Sequence, residues 1–241
     1  MHNPITIEPI LDIPTIEPAD NLANVLLAAL KQNNIQLAKG DILCIASKVA
    51  SIAENQFVKL DTITPGSDAK GLHERIVRKD PRILQLILNE ANNDMANLRV
   101  EGNWIGARTK LGRVLTSGGI DKVDDSTVLV LPANPDTSAK NVALAIQTTY
   151  GAQIGVLISD SDGREGIAGA TQLCIGTYGV PPIRRQNDTE ETVCDMLAAA
   201  AGLVMGQRGN GIPAVVIHGF EYNFTETAKL ADAYYGYSIR D

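Results

Sequence analysis

Aromatic residues make up only 4% of the 241-residue chain, with one tryptophan, so the core has to be assembled from alanine, leucine, isoleucine and valine. Cysteine is scarcer still. Cys44, Cys174 and Cys194 lie far apart and form no C-x-x-C pair, which argues against a disulfide framework or a cysteine zinc site and points to a reducing compartment. No stretch reaches the ~18 consecutive apolar residues of a spanning helix. The opening MHNPITIEPILDIP lacks a basic start followed by a long apolar run, so neither membrane insertion nor export is expected. Positive charge is in deficit: 21 Lys and Arg against 28 Asp and Glu leave a formal charge of −7. Such a chain repels a polyphosphate backbone at long range, which disfavours nucleic acid as a partner. His2, His73 and His218 stand outside any nucleophile motif, so no Ser/His/Asp arrangement is indicated. The expectation left by these absences is a cytoplasmic protein acting on small molecules.

Hydrophobic residues, at 44%, suffice for a substantial core, and no repeat or linker divides the chain, so residues 1–241 read as a single domain. Apolar positions occur both at helical spacing and as continuous runs, which predicts a mixed α/β protein. Asp20 is placed to cap a helix running to Asn33, with Leu22, Val25, Leu26, Ala29 and Leu30 along one face. Residues 41–46 read as a buried strand that delivers Ser47 and Lys48 at its end. Helices are expected from about Asp68, from Pro81 and over 137–146; strands are expected over 127–131, 153–158 and 213–218. Asp188 and Glu191 have the spacing of a capping box for an alanine-rich helix ending at Met205, which Gly206 can close.

Three segments carry residues suited to chemistry. Gly118-Gly119-Ile120-Asp121 is a glycine turn ending in a carboxylate that either serves a ligand or satisfies its own turn. Ser159-Asp160-Ser161-Asp162-Gly163-Arg164 follows an apolar strand, where α/β proteins place ligand loops. Asp160 and the Ser161 hydroxyl offer hard oxygens to magnesium or manganese, and Arg164 can meet a phosphate or carboxylate. A solvated acidic turn is the competing reading. Met205-Gly206-Gln207-Arg208-Gly209-Asn210-Gly211 lets backbone approach a ligand, but it lacks the G-K-[ST] ending of a P-loop and equally suits a helix C-cap. Lys48 is a candidate phosphate contact or a solvated charge, and Asp136 or Thr137 a ligand-loop residue or a helix cap.

Taken in order, these segments resemble the coenzyme F420-0:γ-glutamyl ligase family over nearly the whole chain. Gly40-Asp41-Ile42-Leu43 through Ser51-Ile52-Ala53-Glu54 resembles the family's G-D-[IV]-L and V-S-K-A-E-G region. Asp80-Pro81-Arg82, Gly119-Ile120-Asp121, Leu131-Pro132 with Pro135-Asp136 and Ser138-Ala139 follow in family order. After them come Asp160-Ser161 with Gly163-Arg164, Ile175-Gly176, and Leu203-Val204-Met205-Gly206-Gln207.

The resemblance implies an α/β fold of the α+β type, with a mixed, partly antiparallel sheet, packed helices and an intertwined homodimer. It implies a GTP-dependent ligase in which Asp121 and Asp160 bind one divalent ion, Mg2+ or Mn2+, while Ser161 and Gln207 help to bind a second; K+ is left open as a further cation. Asp121, Asp160 and Arg164 take the catalytic positions. Leu11, Asp12, Ile13, Pro14, Ser47, Lys48, Asp124, Met205, Gly206, Gln207, Arg208, Gly209, Asn210 and Gly211 take the nucleotide-binding ones. The γ-phosphoryl group would pass to the carboxylate of a small-molecule acceptor, and the amine of L-glutamate would attack the acyl phosphate to give an amide, GDP and phosphate. Three departures stand out. Ile52 replaces the family lysine, Asp124 replaces an asparagine, and the family's D-T-F-G-R-P-W-R becomes 160–167 here without its aromatic residues. They leave two alternatives in view: the same ligation on another carboxylated acceptor, and a nucleotide- or metal-binding regulatory protein without turnover.

Overall fold

The computed structural model describes residues 4–206 and 211–234. Its elements begin with β1 (Thr6–Pro9), α1 (Leu22–Gln32), β2 (Ile42–Ala46), α2 (Ser47–Ala53), β3 (Phe57–Lys59), α3 (Ser67–Arg75) and α4 (Pro81–Glu90). Next come β4 (Leu98–Glu101), β5 (Trp104–Arg108), β6 (Val114–Thr116), β7 (Asp121–Lys122), β8 (Thr127–Leu129) and α5 (Pro135–Tyr150). β9 (Gly155–Gly163), β10 (Ala170–Tyr178), β11 (Ile183–Gln186), β12 (Thr189–Thr192), α6 (Val193–Met205) and β13 (Ala214–His218) complete the series. Among the described residues no helix is long and apolar enough to cross a membrane.

These elements divide into two compact units. The first contains the chain up to Asn55, Pro132–Ser161 and Thr171–Tyr234, and is built on a five-stranded sheet of order β1-β13-β2-β9-β10. The sheet is mixed: β13 pairs antiparallel with both β1 and β2, whereas β2 and β9 run parallel in the register Ala46↔Ser159. Parallel strands require burial on both faces, and β2 and the first part of β9, through Ile158, accordingly read as apolar runs. Ile42, Cys44, Leu157, Val215 and Ile217 form one core layer with Val193, Leu197, Ala198 and Ala201 of α6. The second unit contains 56–131 and Asp162–Ala170 and carries two three-stranded sheets, β3-β8-β7 and β4-β5-β6. Leu72, Ile76, Leu84, Ile87, Ile105 and Val128 fill its core.

Most expected elements are present, with differences that have local causes. The cap of α1 is Asn21, whose side chain accepts from the Asn24 amide at 3.0 Å, while Asp20 instead accepts from Glu17. α5 starts two residues before Thr137 because Asn134 caps it and Pro135 occupies its first turn, so neither Asp136 nor Thr137 is the cap. The strand expected over 127–131 stops at Leu129. The capping box at Asp188 does not form. Asn187 and Asp188 have φ of 50° and 61° and make the tight turn between β11 and β12, where Glu191 pairs with Arg184 at 2.6 Å. α6 therefore begins at Val193, and Gly206, at φ 68°, closes it as expected.

Candidate functional site

The parallel pairing of β2 with β9 ends at Ala46↔Ser159 and brings two distant stretches of chain together there. Because Ala46 lies opposite Ser159, the residues that follow them, Ser47 at the start of α2 and Asp160 within β9, stand side by side. Ser47 opens α2 and is only 5% exposed; its Oγ donates to Asp160 Oδ1 at 2.6 Å across 113 residues of sequence. Lys48 follows it and is exposed.

The segment read from sequence as a loop is part of the strand. β9 continues through Asp160, Ser161 and Asp162 to Gly163 alongside the equally long β10, so successive side chains alternate between faces. Asp160 is half-buried, Ser161 exposed and Asp162 buried. Asp162 serves the second unit: its Oδ1 accepts from the Thr116 amide at 2.7 Å while the Thr116 hydroxyl donates to the Gly163 carbonyl at 2.7 Å. Burial pushes the Asp162 carboxyl above the ordinary carboxylate range, and the Thr116 bonds oppose that shift. Arg164, just past the strand, is exposed.

Asp121 belongs to the second unit, at the start of β7, where it is exposed and lies opposite Leu129. The turn before it is left-handed throughout: Ser117, Gly118 and Gly119 have φ of 55°, 64° and 72°. Gly119 is further required because a Cβ there would stand 2.6 Å from the Leu131 side chain. Lys79 donates to Ser117 Oγ at 2.8 Å, and burial, reinforced by Arg78, lowers its pKa. Asp124 sits in the β7–β8 turn, where its Oδ1 accepts from the Ser126 amide and hydroxyl at 2.7 and 2.8 Å, which holds its carboxyl below the usual range.

The remaining sequence candidates are spread more widely. Leu11, Asp12, Ile13 and Pro14 form an irregular stretch that is mostly exposed, with Asp12 at φ 54°, tied to the end of α1 by Asn33, which bonds both the amide and the carbonyl of Leu11. Met205 is buried under the sheet, Gly206 ends α6 and Gly211 is exposed. Gln207, Arg208, Gly209 and Asn210 lie outside the described residues. Among the described residues, no three His, Cys, Asp or Glu side chains converge into a metal-holding group. Cavities of about 520 and 700 Å³ flank Phe220–Asn223, with Gly40, Asp41 and Gln153 lining the larger one. They therefore lie at the amino ends of β2 and β9, the opposite end of the sheet from Ser47 and Asp160.

Several motif residues hold one another. Glu54 accepts a short hydrogen bond from Ser138 Oγ, and Asp136 Oδ1 accepts from the Thr177 amide at 2.7 Å. Asp80 caps α4 and grips Arg82 through Nε at 3.0 Å and Nη2 at 2.6 Å, a structural role for Asp80-Pro81-Arg82.

Fold and site together describe a mixed α/β protein that presents a hydrogen-bonded carboxylate just past the point where the parallel pairing of β2 and β9 ends, on the carboxyl side of β2, a common location for ligand chemistry. The model of the F420-0:gamma-glutamyl ligase family matches residues 10–219, spanning segments of both units. The chain is 35% identical over 223 residues to the coenzyme F420:L-glutamate ligase of Methanothermobacter thermautotrophicus, covering 87% of each chain. It is 35% identical over 230 residues to that of Methanopyrus kandleri, with 90% of this chain and 88% of the relative covered. The ligase of Methanosarcina mazei is 31% identical over 235 residues, covering 92% and 89%. The chain belongs to the F420-0:gamma-glutamyl ligase family, and is a ligase.

Proposed function

We propose that this chain is a GTP- and divalent-metal-dependent ligase that joins L-glutamate through an amide bond to the carboxylate of coenzyme F420-0. The observation that carries the reading is the family match over residues 10–219, within which Asp121, Asp160, Ser161 and Gln207 all occur. The acceptor carboxylate attacks the γ-phosphorus of GTP, the bond to the β,γ-bridging oxygen breaks, and GDP leaves. The amine of glutamate then attacks the acyl carbon, phosphate departs, and the amine proton is released. Mg2+ or Mn2+ would neutralise the phosphate oxygens during this transfer. The donors suit such hard cations, being carboxylate, hydroxyl and amide oxygens. Asp160 and Ser161 project to opposite faces of β9, which favours their service to two different ions. Arg164, exposed at the end of the strand, is available to an anionic substrate group.

A homodimer forms part of this reading. α6 carries an uncovered apolar stripe on one face: Met196 and Leu203, two turns apart, are 52% and 86% exposed, with Ala199 and Ala200 between them. A helix of that character is normally covered. Sedimentation equilibrium is expected to give twice the chain mass. The reduced, buried thiols support a cytoplasmic setting.

Purified protein supplied with GTP, Mn2+, F420-0 and glutamate is expected to release phosphate in step with amide product, and Asp160→Ala to lose both. Equal turnover by parent and variant would overturn the assignment. The missing aromatic residues over 160–167 favour a second reading, ligation to another carboxylated acceptor. Mass spectrometry of glutamate adducts across a carboxylate panel separates the two, because efficient extension of F420-0 alone excludes the second.

A further inference from the structure

We infer that Lys79 and Ser117 form an anion-binding subsite that takes a carboxylate of the acceptor substrate. The inference rests on the proposed ligation, which requires a carboxylated acceptor, and it concerns two residues to which the family resemblance gives no role.

The backbone of Lys79 is fixed before its side chain is considered. In the short connection between α3 and α4, its amide donates to the Ile76 carbonyl at 3.0 Å and its carbonyl faces Nδ1 of His73 at 2.8 Å. A carbonyl only accepts, so Nδ1 of His73 carries the proton in that pair. The adjoining carboxylate is engaged elsewhere, because Asp80 caps α4 and grips Arg82. The half-buried Lys79 side chain runs to the turn before β7, where Nζ donates to Ser117 Oγ at 2.8 Å.

This ammonium has no counter-charge. Among the described residues Lys79 makes no ion pair, whereas the more exposed Lys110 and Lys122 of the same unit reach Glu90 at 3.5 Å and Asp125 at 2.6 Å. Its charged neighbour is another cation, Arg78, whose Nη2 donates to the Asn103 carbonyl at 2.8 Å. Burial first, and then Arg78, lower the Lys79 pKa, the direction expected of a cation without an anion. A charge drawn out of water is normally paired. Lys79 has three donors and uses one on Ser117, while the Ser117 hydroxyl, which receives that bond, keeps its own proton for another acceptor. One carboxylate, with two oxygens, can accept from both groups.

The nucleotide is the competing anion. Of its described candidate positions, only Asp124 lies in the second unit with Lys79, and that carboxylate closes the β7–β8 turn on Ser126. The cation is therefore assigned to the acceptor.

The test is calorimetric titration of the purified full chain with F420-0 in saturating Mn2+ and GDP, alongside separate titrations with GTP and with glutamate. Lys79→Met, which removes the charge, is expected to weaken F420-0 binding by about 10–100-fold and to leave GTP affinity within a few-fold of the parent. Lys79→Arg, which keeps the charge, is expected to bind F420-0 more tightly than Lys79→Met. Ser117→Gly removes the hydroxyl and suits the left-handed φ of 55°, and is expected to lose F420-0 affinity several-fold. Thermal melts followed by circular dichroism identify any variant that has lost its fold, and Lys79→Gln then replaces Lys79→Met. Unchanged F420-0 affinity in the folded uncharged variant, or a loss confined to GTP or to glutamate, overturns the inference. If the parent itself does not bind F420-0, the proposed activity fails and the inference with it. If the parent binds and ligates F420-0 while Lys79→Met binds it equally well, only the subsite fails.

Discussion

Gly176 in β10 passes so close to Pro135 at the start of α5 that a Cβ on the glycine would lie 2.4 Å from the proline's carbonyl carbon. The next residue of each segment makes the contact polar, since Asp136 Oδ1 receives the Thr177 amide at 2.7 Å. Two short motifs separated by about forty residues thus form one joint, clamped by a steric requirement on one side and a hydrogen bond on the other. Glu54 with Ser138 makes a second joint of this type, and Ser47 with Asp160 a third. The family-like motifs of the first unit are in part the places where its chain segments lock together.

Gly176→Ala should destabilise the protein by about 1–3 kcal/mol, the usual cost of overpacking against atoms that cannot move freely. Gly71 is the contrasting case. It lies within α3, exposed, and a Cβ there meets nothing within 4 Å. Gly71→Ala should stabilise by about 0.4–1 kcal/mol through the unfolded chain. Urea denaturation of both variants checks the pair, and a parent-like midpoint for Gly176→Ala would show that the Pro135 joint is able to yield.

Asp80 and Asp136 should respond to pH in opposite directions. The Arg82 side chain and amide hold the Asp80 carboxyl below its ordinary value, against a smaller opposing effect of burial. Its contribution is complete above the unfolded value of ~3.9 and is lost as pH falls through the lower folded value. Burial raises Asp136, with the Thr177 and Leu230 amides opposing. A raised folded pKa means that protonation favours the fold, so this contribution is present at low pH and disappears as pH rises through the folded value. Asp136→Asn should therefore gain on the parent as pH climbs from ~4 towards neutrality, while keeping an oxygen for Thr177. Asp80→Asn should be less stable at neutral pH and converge with the parent in acid. Urea midpoints between pH 3 and 7 provide the measurement, and parallel curves for parent and variants would contradict both assignments.

All three cysteines are buried, and burial pushes the Cys44 thiol up to about 12. Cys174 is raised as well, by burial first and then by its neighbour Cys194. Because the thiolate is the reactive species, native protein at pH 8 should resist iodoacetamide, with all three thiols labelled in denaturant. Rapid labelling of native protein, read by mass spectrometry, would show that these sites open readily.

The apolar run ending at Ala46, the proline that starts α4, and the glycine that closes α6 were legible because each acts through its immediate neighbours in the chain. So was the order of motifs that marks the family. The turn of β11 and β12 was misread because Asp188 and Glu191 have the spacing of a helix cap, yet Asn187-Asp188 satisfies the left-handed turn of a hairpin. The extension of β9 through Asp162 was hidden for a related reason: a polar run looks like a loop until β10 supplies the pairing that makes it a strand.

The sequence by itself determined the class of the protein, its aliphatic core, its family and which side chains could meet a cation, because composition and motif order carry that information along one dimension. Only the tertiary structure decided what those side chains touch. That Ser47 faces Asp160, that Gly176 yields space to Pro135, and that Lys79 reaches Ser117 follow from strand register and helix packing between segments far apart in the chain. No local propensity encodes them, because each contact exists only once two remote segments have been placed against each other.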